Sequence, residues 1–539
     1  VGHARTSRLR RTGSTALVLG IALALLAGCA VGPSQRPPVA VRGELLPAAP
    51  PVAAEPPPDP ARLPGTEPLR SGPEFVDCTA EVRAGLAEAG TPLPDGRELA
   101  AGCGQLTVPA DRGRPDLGPA RLGLTRLTAP GAAEDLPVLV VLGDTGVDGS
   151  SLAAAALAAR LPSEVLARYQ VLGMDRRGSG DDLLDCAPID ARTTLQDAGP
   201  GQRDEVAMTA LLERSRSIVQ DCYLLLSGTI TSYRTDSSAE DLESLRSALG
   251  LARLNLVGVG DGADAVAGWA GRNPDAVGRV VLDGPGDPTL DEPARSEAAT
   301  AAAEAAFDAF ATACTAGPGC PLGPDPRATV RGLLDRLAGS ALPAGDGDAV
   351  TAGAAVRAVR TTLSQPSRWP ELQSALAGAA GGDGSGLARL RSTGSGPAAG
   401  PRAGFDAVLA TACNDSRVRI TPGEAADLAG RWAERFGLFG VAAAQDLVAC
   451  GPWPPGGAAP APGPRSDTLP PVLVVGTAQD PRAPRSGAER TAEQLGNGRL
   501  VRWQGSGTGA YPRTPCVAAV VDRALVDGQA PTEPVVCPP

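Results

Sequence analysis

The chain has 539 residues, 43% of them hydrophobic, which is enough for two or three domains or one enlarged core and too apolar for wholesale disorder. Its net charge is −11 and every cation is an arginine, so it lacks the basic footprint that a nucleic-acid partner requires. The single histidine is His3, which leaves the body of the protein without an imidazole to act as base or metal ligand.

The first element is an export signal. Arg5, Arg8, Arg10 and Arg11 precede an apolar run at 16–27 that ends in Leu26-Ala27-Gly28-Cys29. A basic start, a short apolar segment and small residues at the cut read as a secretory signal rather than a membrane span. The cysteine after Leu-Ala-Gly resembles a lipoprotein lipobox. That resemblance makes Cys29 the expected lipidation site and the outer face of the cytoplasmic membrane the expected location. Residues 30–73 carry 13 prolines in 44 positions, too many for a packed core, and read as an extended stalk.

β-rich segments at 105–110 and 121–128 open the globular part. Continuous apolar runs follow at 136–142, 169–175, 254–260 and 279–283, interleaved with helical stretches such as 152–161, and two more lie at 471–476 and 499–504. Fully apolar strands alternating with helices predict a parallel sheet covered on both faces, an α/β fold. Residues 290–466 change character. They are Ala-rich and helical at 294–316 and 328–337, with a capping-box start at Thr421-Pro422-Gly423-Glu424 and breaks at 381–400 and 451–471. This block reads as a helical cap inserted into the core, although an independent helical domain has the same composition. The expected organisation is a signal at 1–28, a lipidated cysteine and linker at 29–73, core at 74–289, cap at 290–466 and core again at 467–539.

Ten further cysteines, Cys78, Cys103, Cys186, Cys222, Cys314, Cys320, Cys413, Cys450, Cys516 and Cys537, read as a disulfide framework in an exported chain. Connectivity stays open, neighbours in order being one natural set of five pairs. A metal cluster lacks C-x-x-C spacing and histidine, and no cofactor motif is evident.

Several segments resemble one family. Tyr169-Gln170-Val171-Leu172-Gly173-Met174-Asp175-Arg176-Arg177-Gly178 is similar to a strand-turn of α/β-hydrolases, and Asn255-Leu256-Val257-Gly258-Val259-Gly260-Asp261-Gly262 to their nucleophile elbow. Val280-Val281-Leu282-Asp283-Gly284, Cys413-Asn414-Asp415, Cys450-Gly451-Pro452-Trp453-Pro454 and Tyr511-Pro512-Arg513-Thr514-Pro515-Cys516 resemble tripeptidyl-aminopeptidase-like enzymes, exported actinobacterial serine peptidases. The resemblance covers nearly everything from Phe75 to Cys537. It implies an α/β-hydrolase fold with a helical cap and a Ser, acid, His triad in chain order.

At the positions the resemblance assigns, the triad is degenerate. Gly260 stands where the nucleophilic serine belongs, Thr508 where the histidine belongs, and only Asp480 keeps the acid position. Thr508 cannot take a proton near neutral pH. The glycine-rich oxyanion loop reads Thr145-Gly146-Val147-Asp148-Gly149-Ser150-Ser151, with Asp148 adding negative charge where an oxyanion would form. Ser150 and Ser151 lie near the implied site without a lysine to activate them, and Asp261 follows the nucleophile position rather than holding it. The expectation is a lipid-anchored, inactive relative with a binding or scaffolding role, its ligand a peptide or an envelope protein. The alternative is an active peptidase or esterase with a rebuilt site.

Overall fold

The computed structural model describes residues 59–145, 149–226, 228–317, 319–345, 348–392, 404–454, 466 and 468–539. The signal segment, Cys29 and most of the Pro-rich linker lie outside these residues, as do Gly146, Val147 and Asp148.

Ten strands form one sheet: β1 (Val76–Asp77), β2 (Ala100–Pro109), β3 (Pro119–Thr128), β4 (Val138–Leu142), β5 (Gln170–Met174), β6 (Leu254–Val259), β7 (Val277–Asp283), β8 (Val472–Gln479), β9 (Gly498–Ser506) and β10 (Val535–Cys537). Their spatial order is β1-β2-β3-β5-β4-β6-β7-β8-β9-β10. The first three strands pair antiparallel, as does β3 with β5, and every pair from β5 to β10 is parallel.

Each central strand divides its side chains between two hydrophobic clusters, as the alternation of Cβ directions dictates. In β4, Leu139 and Val141 enter one cluster while Val138, Val140 and Leu142 enter the other. Six helices position the site: α1 (Gly149–Ala158), α2 (Thr235–Ala248), α3 (Asp261–Arg272), α4 (Glu292–Ala316), α5 (Arg485–Leu495) and α6 (Pro515–Asp527). The first cluster takes up α1 and α6, and the second takes up α2, α3 and α5. Both faces of the sheet are therefore dry, the physical reason its strands read as unbroken apolar runs. The fold is the α/β-hydrolase fold that the strand order anticipates.

Two further clusters belong to helices outside the sheet layers. One joins α4 to helices Pro326–Gly339, Ala352–Leu363 and Trp369–Ala380. The other joins Glu205–Leu225, between β5 and β6 in sequence, to Phe405–Asp415, Pro422–Arg435 and Gly440–Val448. The helical insertion thus draws its core from two stretches of chain. Helix Pro422–Arg435 begins with the expected reciprocal capping box, Thr421 Oγ1 accepting from Glu424 N–H and the Glu424 carboxylate accepting from Thr421 N–H. The Gly/Ser-rich stretch at 381–400 is not all break, because Ser385–Ser392 is helical and buries Leu387 and Leu390 against its neighbours.

All ten core cysteines are paired with their neighbours in sequence: Cys78–Cys103, Cys186–Cys222, Cys314–Cys320, Cys413–Cys450 and Cys516–Cys537. The first ties the residue after edge strand β1 to β2 and the last ties α6 to edge strand β10, where unpaired backbone most needs restraint. Three hold the insertion. Cys413 belongs with Asn414 and Asp415 to a seam: Asn414 Nδ2–H donates to the carbonyls of Ile230 and Tyr233, and Asp415 accepts from Thr235 N–H. Five native disulfides place the folded part in an oxidising, extracytoplasmic compartment. Among the described residues, no helix is long and apolar enough to cross a membrane.

Candidate active site

The carboxyl ends of β6, β8 and β9 meet at one place, the usual location for a site in a sheet of this kind. β6 runs into α3 through Gly260, whose backbone sits at φ +59°, ψ −128°. This conformation is unstrained for glycine and costly for other residues. The turn is also tight: a Cβ on Gly262 would lie 2.3 Å from the carbonyl oxygen of Leu142. The strand-to-helix elbow that the motif implies is therefore intact, and its tip carries no side chain.

Asp480 follows β8 and is 1% exposed. Its Oδ1 accepts from the N–H groups of Arg482 (2.9 Å) and Ala483 (3.2 Å), so it builds its own turn. The same oxygen accepts the Thr508 hydroxyl at 2.6 Å. Thr508 thus takes the acid's partner position, with its backbone N–H donating to the Ser364 carbonyl of the insertion. Burial pushes the Asp480 carboxyl above the usual carboxylate range, against the bonds from Thr508 and the two backbone N–H groups. Gly260 and Thr508 line one cavity of about 150 Å³. The structure thus brings together the three positions the sequence singled out.

It also brings in a residue that sequence reasoning missed. Asp144 follows β4 and projects over the elbow. Its Oδ1 would lie 2.0 Å from a Cβ on Gly260, and the same oxygen accepts the N–H of Asp261 at 3.0 Å. Its Oδ2 accepts from Arg482 Nη1 at 2.6 Å. A carboxylate therefore stands in the volume that a side chain at position 260 would need. Burial raises the Asp144 carboxyl, with the neighbouring Asp261 adding to the shift and Arg482 opposing it. The available signal was an acid two residues past the end of an apolar parallel strand.

Asp261 is neutralised differently. Against the cost of burial, the Arg176 guanidinium at 2.7 Å and the bonds from Thr145 N–H and Thr145 Oγ1 hold its carboxyl down. Being tied to Arg176 and Thr145 at the first turn of α3, it serves as a structural anion. Asp264, one turn further along α3, accepts from Gly286 N–H, and burial lifts its carboxyl to about 7.

The other candidates are not assembled into a catalytic set. Ser150 is fully buried and its Oγ accepts the N–H of Gly143, while Ser151 N–H donates to Asp175. Asp148, the expected intruder in the oxyanion loop, lies outside the described residues. Cys186, Cys222 and Asp406 have the mutual distances of a metal site, but the two sulfurs are bonded to each other, and Asp406 Oδ2 accepts from the Cys186 and Ala187 N–H groups and from Arg192. No thiolate is available there to ligate an ion.

A parallel sheet, a strand-turn-helix elbow with Gly260 at its tip and an acid, after the strand that follows the insertion, bonded to Thr508 have the layout of an α/β-hydrolase site. Residues 435–537 match the family described as TAP-like protein. Carboxylesterase B of Mycobacterium tuberculosis is 29% identical over 490 residues, covering 86% of this chain and 89% of that protein. Serine protease Hip1 of the same organism is 27% identical over 471 residues, covering 81% and 87%. Tripeptidyl aminopeptidase of Streptomyces coelicolor is 26% identical over 234 residues, covering 41% and 40%. Residues 435–537 thus carry a TAP-like domain, and most of the chain is similar to these hydrolases.

Proposed function

We propose that this protein is catalytically silent and acts by binding, with a peptide or an envelope protein as its ligand class, while lipidated Cys29 holds it at the outer face of the cytoplasmic membrane. The observation that carries the reading is the pairing of losses at one point. The elbow tip is Gly260 with Asp144 packed into its place, and the acid Asp480 is bonded to a threonine hydroxyl instead of an imidazole. A serine hydrolase needs an attacking oxygen, a base to take its proton and donors for the oxyanion. The first two are absent, and the N–H of Asp261, which follows the nucleophile position, is already occupied.

The test is a fluorophosphonate probe on the purified protein, read by intact mass. No adduct is expected. Stoichiometric labelling of one serine would overturn the reading and identify a rebuilt nucleophile, Ser486 being the serine that lines the cavity. Lipidation is checked separately, by mass spectrometry of the N-terminal peptide from the membrane fraction. Diacylated Cys29 is expected, and a soluble, unmodified N-terminus refutes the anchor.

A further inference from the structure

We propose that Asp144 is an internal stopper: its carboxylate fills an anion-binding corner at the elbow and so keeps carboxylate ligands from outside out of the cleft. The inference rests on the reading of the elbow as one without a nucleophile, and goes beyond it by saying what occupies the space. Three contacts carry it. Asp144 Oδ1 accepts the N–H of Asp261 at 3.0 Å, the donor that in hydrolases of this fold faces the developing oxyanion. Asp144 Oδ2 takes a charge-assisted bond from Arg482 at 2.6 Å. The same carboxylate overlaps the position of a Cβ on Gly260. One side chain thereby covers the space of the nucleophile and the donor for the oxyanion together.

Asp144 lines the cavity, so the volume its side chain vacates opens onto space already present. The charged groups lining the cavity besides Asp144 are Asp261, held by Arg176 and Thr145; Asp264 on α3; Asp287; Arg295 on α4; and Arg482. Three acids stand against these two arginines and Arg176, so the corner is a weak anion site, suited to a small planar carboxylate offered at high concentration. A tethered carboxylate fills it without the entropic cost that a free one meets on binding.

The experiment compares thermal unfolding of the full chain in sodium formate with sodium chloride at equal ionic strength. Asp144→Ala is expected to gain roughly 1–2 °C in formate over chloride at about 100 mM, with saturation. Wild type and Asp144→Asn, whose corners remain filled, are expected to show no such gain, and Asp144→Ala with Arg482→Gln to lose it. An equal gain in wild type, no gain in Asp144→Ala, or a gain that survives loss of Arg482 would each overturn the proposal. If Asp144→Ala does not fold in chloride, Asp144→Ser takes its place under the same criteria. Fluorophosphonate labelling would sink the silent-enzyme reading and leave the formate result standing. A missing formate response alongside no labelling would sink only the stopper.

Discussion

Restoring a serine at the elbow is the most direct way to measure how far the site has been rebuilt. Gly260→Ser places a Cβ 2.0 Å from Asp144 Oδ1 and 2.7 Å from its Cγ, so the carboxylate must leave. A non-glycine residue at φ +59° costs about 1–3 kcal/mol on its own. Displacing Asp144 frees the N–H of Asp261, at about 1–2 kcal/mol. It also breaks a contact with Arg482 that is half exposed on the arginine side and worth at most about 1 kcal/mol. The substitution alone should therefore cost about 2–6 kcal/mol. In an Asp144→Ala background only the backbone term remains, about 1–3 kcal/mol. The two changes should be less than additive by about 2 kcal/mol, well beyond the ~0.5 kcal/mol scatter of independent sites. Urea unfolding of the four proteins in the cycle measures this coupling. Additivity within that scatter, or a Gly260→Ser cost under ~1 kcal/mol with Asp144 present, would refute the claim that the carboxylate occupies the serine's space.

Other outcomes follow from the same geometry. Gly260→Ser with Thr508→His should not hydrolyse an aminoacyl anilide, because the displaced Asp144 carboxylate stays beside the elbow and sets negative charge against a forming oxyanion; brisk turnover by that double mutant would contradict the silent reading of the site. Thr508→Val removes one donor from the buried Asp480 carboxyl and should destabilise by about 1–3 kcal/mol, read as a lower urea midpoint with unchanged slope. Burial lifts Asp264 to about 7 and Asp283 to about 6, so the folded state binds protons that the unfolded chain releases near pH 4. Their contribution is complete below that pH and lost as pH rises through 6 to 7. Stability should therefore fall by about 2–4 kcal/mol between pH 5 and pH 8, less in Asp264→Asn, and a rise over that interval would refute the assignment. Replacing Cys516 and Cys537 by serine should cost about 2–5 kcal/mol by unstapling β10, and an unchanged melting temperature would show that edge to be held by other means.

The strands were legible because a sheet covered on both faces writes itself as continuous apolar runs, and β4 to β9 lie where those runs lie. The short edge strands β1 and β10 gave no such signal, being two and three residues long and held by partners distant in sequence. Helix Glu205–Leu225 packs with helices that follow residue 404, a pairing no local pattern announces.

Gly260 and Thr508 could be read from one chain as departures from the pattern the resemblance implies, because glycine and threonine cannot perform the chemistry that pattern assigns to their positions. Residue identity alone decided that nothing at those positions attacks a carbonyl or shuttles a proton. What fills the gap was decided only by folding. Asp144 and Asp261 lie more than a hundred residues apart, joined through neighbouring parallel strands whose ends the sheet brings side by side. A hydrogen bond of 3.0 Å depends on strand register and turn geometry, both set by packing across the whole sheet.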